Sequence, residues 1–156
     1  MRMAVWILLF AATGAQACPA IDQSDRPRYT HPVGGQIISG FGTRRNPIHN
    51  TTAFHTGVDY AAAPGDPVQA AAAGEVLFAA EDRDYGKYVT LRHAAGFETT
   101  YAQLSEIAVQ AGDCVGTGDV IGRTGATASG PHLHFELRRD GRFLDPLRFI
   151  ERRSSR

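Results

Sequence analysis

The run Gly130-Pro131-His132-Leu133-His134-Phe135-Glu136 sets two imidazoles two residues apart in an apolar, β-prone context. In a strand, residues i and i+2 project from the same face, so His132 and His134 are neighbours on one surface. Upstream, His55-Thr56-Gly57-Val58-Asp59 adds a third imidazole and a carboxylate four residues after it. Two imidazoles and one carboxylate are an ordinary protein ligand set for catalytic zinc, with the fourth position left to water. The chemistry such a set supports is metal-assisted hydrolysis. Glu136 shares the parity of the two histidines if the strand continues, where it can hold the outer nitrogen of an imidazole and fix its tautomer. The other histidines lack such company. His31 lies in a proline-rich stretch, His49 in a polar loop, and His93 ahead of Ala94-Ala95-Gly96, where a hydrogen bond to the turn is expected.

The elements that must position these residues read as short β-prone runs divided by glycine turns. Gln36–Ser39, Gly74–Ala79, Tyr88–Arg92, Glu98–Ala102 and Asp119–Gly122 are the clearest, and several alternate apolar with polar positions, as half-buried strands do. Only the alanine-rich Val68–Ala73 hints at a helical period. The stretch from Gly112 to Gly122 is dense in glycine, which supplies the positive φ that tight reversals need. The predicted fold class is all-β, a sandwich or barrel-sandwich hybrid.

At 156 residues the chain holds one domain with trimmings. Residues 1–17 read as a secretory signal: Met1-Arg2-Met3 is basic, Ala4–Ala12 is apolar, and Ala15-Gln16-Ala17 fits a cleavage site. The apolar run is shorter than the roughly 20 residues a membrane span requires. Cys18 would then be the first mature residue. A lipid anchor on that cysteine is the alternative, but the usual leucine is missing from the residues before it. The second cysteine, Cys114, makes a disulfide in an oxidising compartment the favoured state of the pair. Residues 18–33, with Pro19, Pro27 and Pro32, read as an N-terminal arm, 34–150 as the domain, and 151–156 as a basic tail.

The formal net charge is zero, so no overall field draws in nucleic acid, and none is expected as a partner. The distribution is uneven, because seven of the 15 arginines fall between Arg138 and Arg156. A basic end of this kind can touch a membrane or another envelope component, although a solvated, partly frayed terminus is the favoured reading.

In their order and context the motifs resemble a known family. Ser39-Gly40-Phe41-Gly42-Thr43-Arg44, His55-Thr56-Gly57-Val58-Asp59-Tyr60, Gly65-Asp66-Pro67-Val68-Gln69-Ala70 and Gly130-Pro131-His132-Leu133-His134-Phe135-Glu136 look like the M23 (lysostaphin- and LytM-like) zinc endopeptidases, from about Pro32 to Ile150. The resemblance implies that His55, Asp59 and His134 hold zinc. It also implies that His132 stays off the metal and acts on water or the transition state. It further implies an antiparallel β groove, an exported protein, and the stem peptides of bacterial peptidoglycan as substrate. One position departs from the pattern. Where the family has Tyr-x-His-Leu, this chain reads Tyr101-Ala102-Gln103-Leu104. Gln103 can donate a hydrogen bond to an oxyanion but cannot transfer a proton at neutral pH.

Three functions stay open at this level. The first is an exported, most simply periplasmic, zinc endopeptidase. The second is a weak or inactive relative that binds peptidoglycan or regulates a wall hydrolase. A biotinyl- or lipoyl-like carrier is the third, and it would need Lys87, the sole lysine, on an exposed turn.

Overall fold

The computed structural model describes residues 18, 21, 28–46, 50–127 and 130–150. The expected signal segment, His49 and the expected basic tail from residue 151 therefore lie outside the described residues. The described residues form twelve strands: β1 (Ile37–Ser39), β2 (Gly42–Asn46), β3 (Thr51–His55), β4 (Val58–Ala61), β5 (Pro67–Gln69), β6 (Gly74–Asp82), β7 (Gly86–Arg92), β8 (Phe97–Ile107), β9 (Cys114–Val115), β10 (Val120–Thr124), β11 (His132–Arg139) and β12 (Arg142–Leu144). A short 3-10 turn, Pro146–Arg148, follows β12. The all-β expectation holds, and all the strand pairings are antiparallel.

Ten strands make one sheet whose main path runs β1-β4-β11-β8-β7-β6-β9, with β10 joining β5 to β8 and β12 beside β11. Strands β2 and β3 form a separate hairpin. Alternation explains how the sheet splits core from cleft. On β4, Val58 and Tyr60 are buried while Asp59 between them turns the other way; on β11, Leu133, Phe135 and Leu137 enter the core while His132 and His134 do not. Burial of these apolar faces, with Val89, Leu91 and Tyr101 from β7 and β8, is what holds the central strands together.

Gly57 sets how closely the two motifs approach. A Cβ there would lie 2.3 Å from the Phe135 carbonyl oxygen, so only glycine lets the His55–Asp59 segment lie against β11.

Two sequence expectations change. Val68–Ala73 is not helical: its first residues belong to β5, and its backbone is tied to other segments. Ala70 N–H donates to Asp119 O, Ala71 N–H to the Tyr101 hydroxyl, and Ala73 N–H to Thr117 Oγ1. The alanines serve close approach rather than a helical face. The basic end is also no free arm over its described part. Arg138 pairs with Glu98 at 3.4 Å and packs over Phe143, Arg139 stacks on Phe97, and Arg148 lies 3.8 Å from Asp145. Contact with a membrane or envelope partner through this segment gains no support.

Cys18 and Cys114 are joined by a disulfide, with their Cα atoms 5.4 Å apart. The bond uses the thiol a lipid anchor would need. The described part of the arm lies on the domain: Tyr29 N–H donates to Phe149 O, Thr30 N–H to Ala71 O, and Tyr29 and Val33 are buried. Lys87 lies within β7, its ammonium donating to Ser105 O at 3.2 Å, which removes the exposed acceptor lysine that a carrier would need.

Candidate metal centre and cleft

Three elements converge on the cleft floor. His55 closes β3, Asp59 is the second residue of β4, and His134 lies directly across from Asp59 in the β4–β11 register. The atoms that meet are His55 Nε2, Asp59 Oδ1 and His134 Nδ1, separated by 3.1 Å (His55–Asp59), 3.1 Å (His55–His134) and 2.9 Å (His134–Asp59). The sequence-predicted ligand set is thus brought together in space.

Hydrogen bonds behind the two rings decide what those atoms offer. His55 Nδ1 lies 2.7 Å from Gly40 O, an acceptor, so the proton is on Nδ1 and Nε2 carries the lone pair. Arg44 Nη2 also approaches His55 Nδ1, but a nitrogen already giving its proton to Gly40 has no lone pair to accept another, so no hydrogen bond joins the two. His134 Nε2 lies 3.1 Å from Glu136 Oε1, which turns the lone pair of Nδ1 inward. Three electron-rich atoms therefore face one another, an arrangement that only a cation relieves. Ligands held at about 2.1 Å in a tetrahedral site stand about 3.4 Å apart, close to the spacing found here. Donor type, count and spacing all fit zinc.

Electrostatics express the same demand. Burial pushes the Asp59 carboxyl up, but the hydrogen bond from His134, the charges of His55 and His134 and the bond from Arg44 outweigh it and take it down to about 2. Burial pushes His134 down, yet its bonds to Asp59 and Glu136 and their charges raise it to about 9. In the absence of metal, a proton is the cation this site attracts, and a metal must displace it.

Glu136 is fully buried, and it is satisfied by three donors: His134 Nε2, the Thr56 hydroxyl and the Tyr85 hydroxyl at 3.0 Å. Burial raises its carboxyl, but the bonds from His134 and Thr56 hold it below the usual carboxylate range. Tyr85 is pushed up to about 12 by burial and by the adjacent Glu136 charge, so it remains a donor. Thr56 and Tyr85 were not legible as site residues. Thr56 lies between the ligands in the motif, whereas Tyr85 reaches Glu136 from a turn capped by Asp82 Oδ1, which accepts the N–H of Tyr85 at 2.7 Å.

His132 and Gln103 both line the cleft, a cavity of about 460 Å³ that also borders His55, Asp59 and His134. His132 Nδ1 lies 3.0 Å from Gly130 O and so bears the proton, leaving Nε2 as the basic nitrogen. Gln103 arrives by a different route. Ala102 stands across from His134, so strict alternation would send residue 103 to the core face. A β-bulge prevents this: β8 runs from Tyr101 to Leu104 while β7 runs only from Val89 to Lys87, and Gln103 takes φ +65°. Arg44, quoted in the sequence motif without a role, also lines the cleft and donates from Nη2 to Asp59 Oδ2 at 3.1 Å.

Known proteins share both the sequence and the fold. The chain is 46% identical over 114 residues to the DD-carboxypeptidase/endopeptidase Mpg of Neisseria meningitidis, covering 72% of this chain and 26% of that protein. It is 35% identical over 132 residues to the peptidoglycan DD-endopeptidase ShyA of Vibrio cholerae, covering 81% and 31%. The chain thus spans about a quarter to a third of these relatives. Among solved structures, a zinc-containing peptidase from Vibrio cholerae superposes with a TM-score of 0.67 at 32% identity, covering 81% of this chain and 39% of that one. The SpoIIQ–SpoIIIAH pore-forming complex gives 0.70 at 30%, covering 80% and 92%. The sequence pattern of peptidase family M23 matches residues 53–146, the span from β3 through β12 that builds the cleft floor, and the chain belongs to that family.

Proposed function

We propose that this chain is an exported zinc metalloendopeptidase that hydrolyses peptide cross-links of bacterial peptidoglycan. The observation that carries the proposal is the meeting of His55 Nε2, Asp59 Oδ1 and His134 Nδ1 in an open cleft beside an unshared imidazole, His132. Zinc bound there supplies Lewis acidity towards a carbonyl and a water. His132, protonated at Nδ1 and basic at Nε2, takes a proton from the attacking water and returns it to the leaving amine. Glu136 keeps His134 in the tautomer that presents Nδ1, and Tyr85 and Thr56 hold Glu136. Gln103 offers an amide N–H to developing negative charge. The disulfide suits an oxidising compartment, in line with export to the periplasm.

The substrate rests on the relatives: Mpg and ShyA are named as DD-peptidases, and ShyA as acting on peptidoglycan. Digestion of purified sacculi, with and without a chelator, is the test. Release of cleaved stem peptides that stops with the chelator and returns with zinc supports the assignment.

One observation favours a second reading. Gln103 stands where the family pattern has a histidine, so a protein that binds zinc and stem peptides without cleaving them is the alternative. Binding to sacculi with no released peptide would establish it.

A further inference from the structure

We propose that Arg44 is a specificity residue: it grips a free carboxylate on the substrate residue that follows the scissile bond. This rests on the hydrolase reading above. Alternation along β2 aims Arg44 at the cleft, while its neighbour Arg45 turns aside and donates to Asn50 Oδ1 at 2.7 Å. The Arg44 side chain is 43% exposed. A guanidinium presents five N–H donors in a planar fork that matches a carboxylate through two parallel bonds. Only one arm is engaged: Nη2 reaches Asp59 Oδ2, and among the described residues Nη1 and Nε have no hydrogen-bond partner. Here one edge of the fork is left over, at the wall of a cleft.

The charge pattern around it points the same way. Among the described residues that line the cleft, Arg44 is the only arginine or lysine, and Asp84 puts a negative charge on the lining as well. A carboxylate entering this cleft therefore finds a single fixed side-chain cation. That cation is one hydrogen bond from Asp59, a candidate ligand. A carboxylate held there lies beside the candidate ligand set, so it belongs to a residue next to the bond being cut.

The shared chemistry has two sources. One is the terminal carboxylate of an uncross-linked D-alanyl peptide. The other is the free carboxylate beside the acylated amine of a cross-linked stem. A bridge that continues as amides, such as oligoglycine, offers none.

The experiment uses disulfide-bonded protein at saturating zinc, with bound zinc measured for every variant. Binding is read by calorimetry for an acylated D-Ala-D-Ala peptide, its C-terminal amide, a D-Ala cross-linked stem dimer and pentaglycine amide. We expect the acid to bind about tenfold or more tightly than the amide, because hydrogen bonds to charged groups are the strong ones. Arg44→Gln should bring acid and amide within about twofold, and Arg44→Lys, with charge but no fork, should lie between. Binding of the linear acid and of the dimer no tighter than that of the amide by the wild type overturns the proposal, as does a preference that survives Arg44→Gln with zinc retained. The dimer and the linear acid show which source is preferred, and either one exceeding the amide supports the grip. Hydrolysis is read separately. A wild type that prefers the acid yet cleaves nothing loses the hydrolase reading and keeps this one, whereas cleavage with acid, dimer and amide bound equally does the reverse.

Discussion

His134 and Glu136, two residues apart on β11, are joined by a bond of 3.1 Å from Nε2 to Oε1, so the strand that carries a candidate ligand also carries the carboxylate that orients it. Glu136 sits in the buried layer with no exposed surface, where an unpaired charge would be costly. Its three donors remove that cost and lock the His134 ring.

Loss of the Glu136 charge tests this arrangement. Glu136→Gln keeps the shape and removes the charge that favours Nε2–H on His134. Partners of this kind typically contribute 10- to 100-fold to metal affinity, so zinc binding should weaken by about that factor. Competition against a chelator of known affinity measures it, with circular dichroism to confirm the fold. Unchanged affinity would show that Gly57 and the strand register alone position the ring.

The disulfide gives a stability prediction. It closes a loop with a sequence separation of 96. On the chain-entropy account, reducing a crosslink of that span lowers stability by about 2–5 kcal/mol. Urea unfolding with and without reductant should show a lower midpoint when the bond is reduced. Coincident curves would mean that the arm contacts at Tyr29 and Thr30 fasten the N-terminus without it.

How much of this was legible in the sequence follows from periodicity. His132, His134 and the Glu136 partnership obey strand alternation, so spacing placed them on one surface, whereas the meeting of His55 and Asp59 with that strand was legible only through the family resemblance. Gln103 does not obey alternation. Its approach to the cleft depends on a bulge, and an extra residue in one strand leaves no mark in a pattern of period two. The hint of a helical period at Val68–Ala73 has a related cause, because small residues serve helix packing and close strand approach alike. Arg44 and Tyr85 come from a separate hairpin and a turn, whose placement is set by tertiary contacts and not by local pattern.

His93 predicts an acid-sensitive fold. Its ring is buried, with Nδ1 donating to Ala73 O at 2.8 Å and Nε2 2.8 Å from Thr99 Oγ1. Burial lowers its pKa, against a smaller opposing effect of the Ala73 carbonyl. The folded state therefore resists a proton that the unfolded state accepts. This contribution is fully present above the ordinary histidine value of about 6.5 and is lost as pH falls from there towards the depressed folded value. The limiting slope is about 1.4 kcal/mol per pH unit. Urea unfolding between pH 7.5 and 5 should show a steeper loss for the wild type than for His93→Gln. Parallel profiles would remove His93 as the cause.

Gln103 carries the sharpest prediction. It lines the cleft opposite the candidate ligands, in a left-handed conformation at φ +65° that non-glycine residues seldom adopt. Histidine is among the residues that tolerate such φ better, so Gln103→His should be accepted by the backbone. The substitution supplies a second group able to move a proton, and groups of that kind typically contribute 10²- to 10⁴-fold. Turnover of cross-linked muropeptides should rise by a factor towards the lower end of that range, because His132 already provides one such group. His132→Ala should abolish whatever activity the wild type has, with zinc still bound. If the wild type and Gln103→His both bind zinc and both cleave nothing, the cleft binds wall peptides without hydrolysing them, and the regulatory reading replaces the enzymatic one.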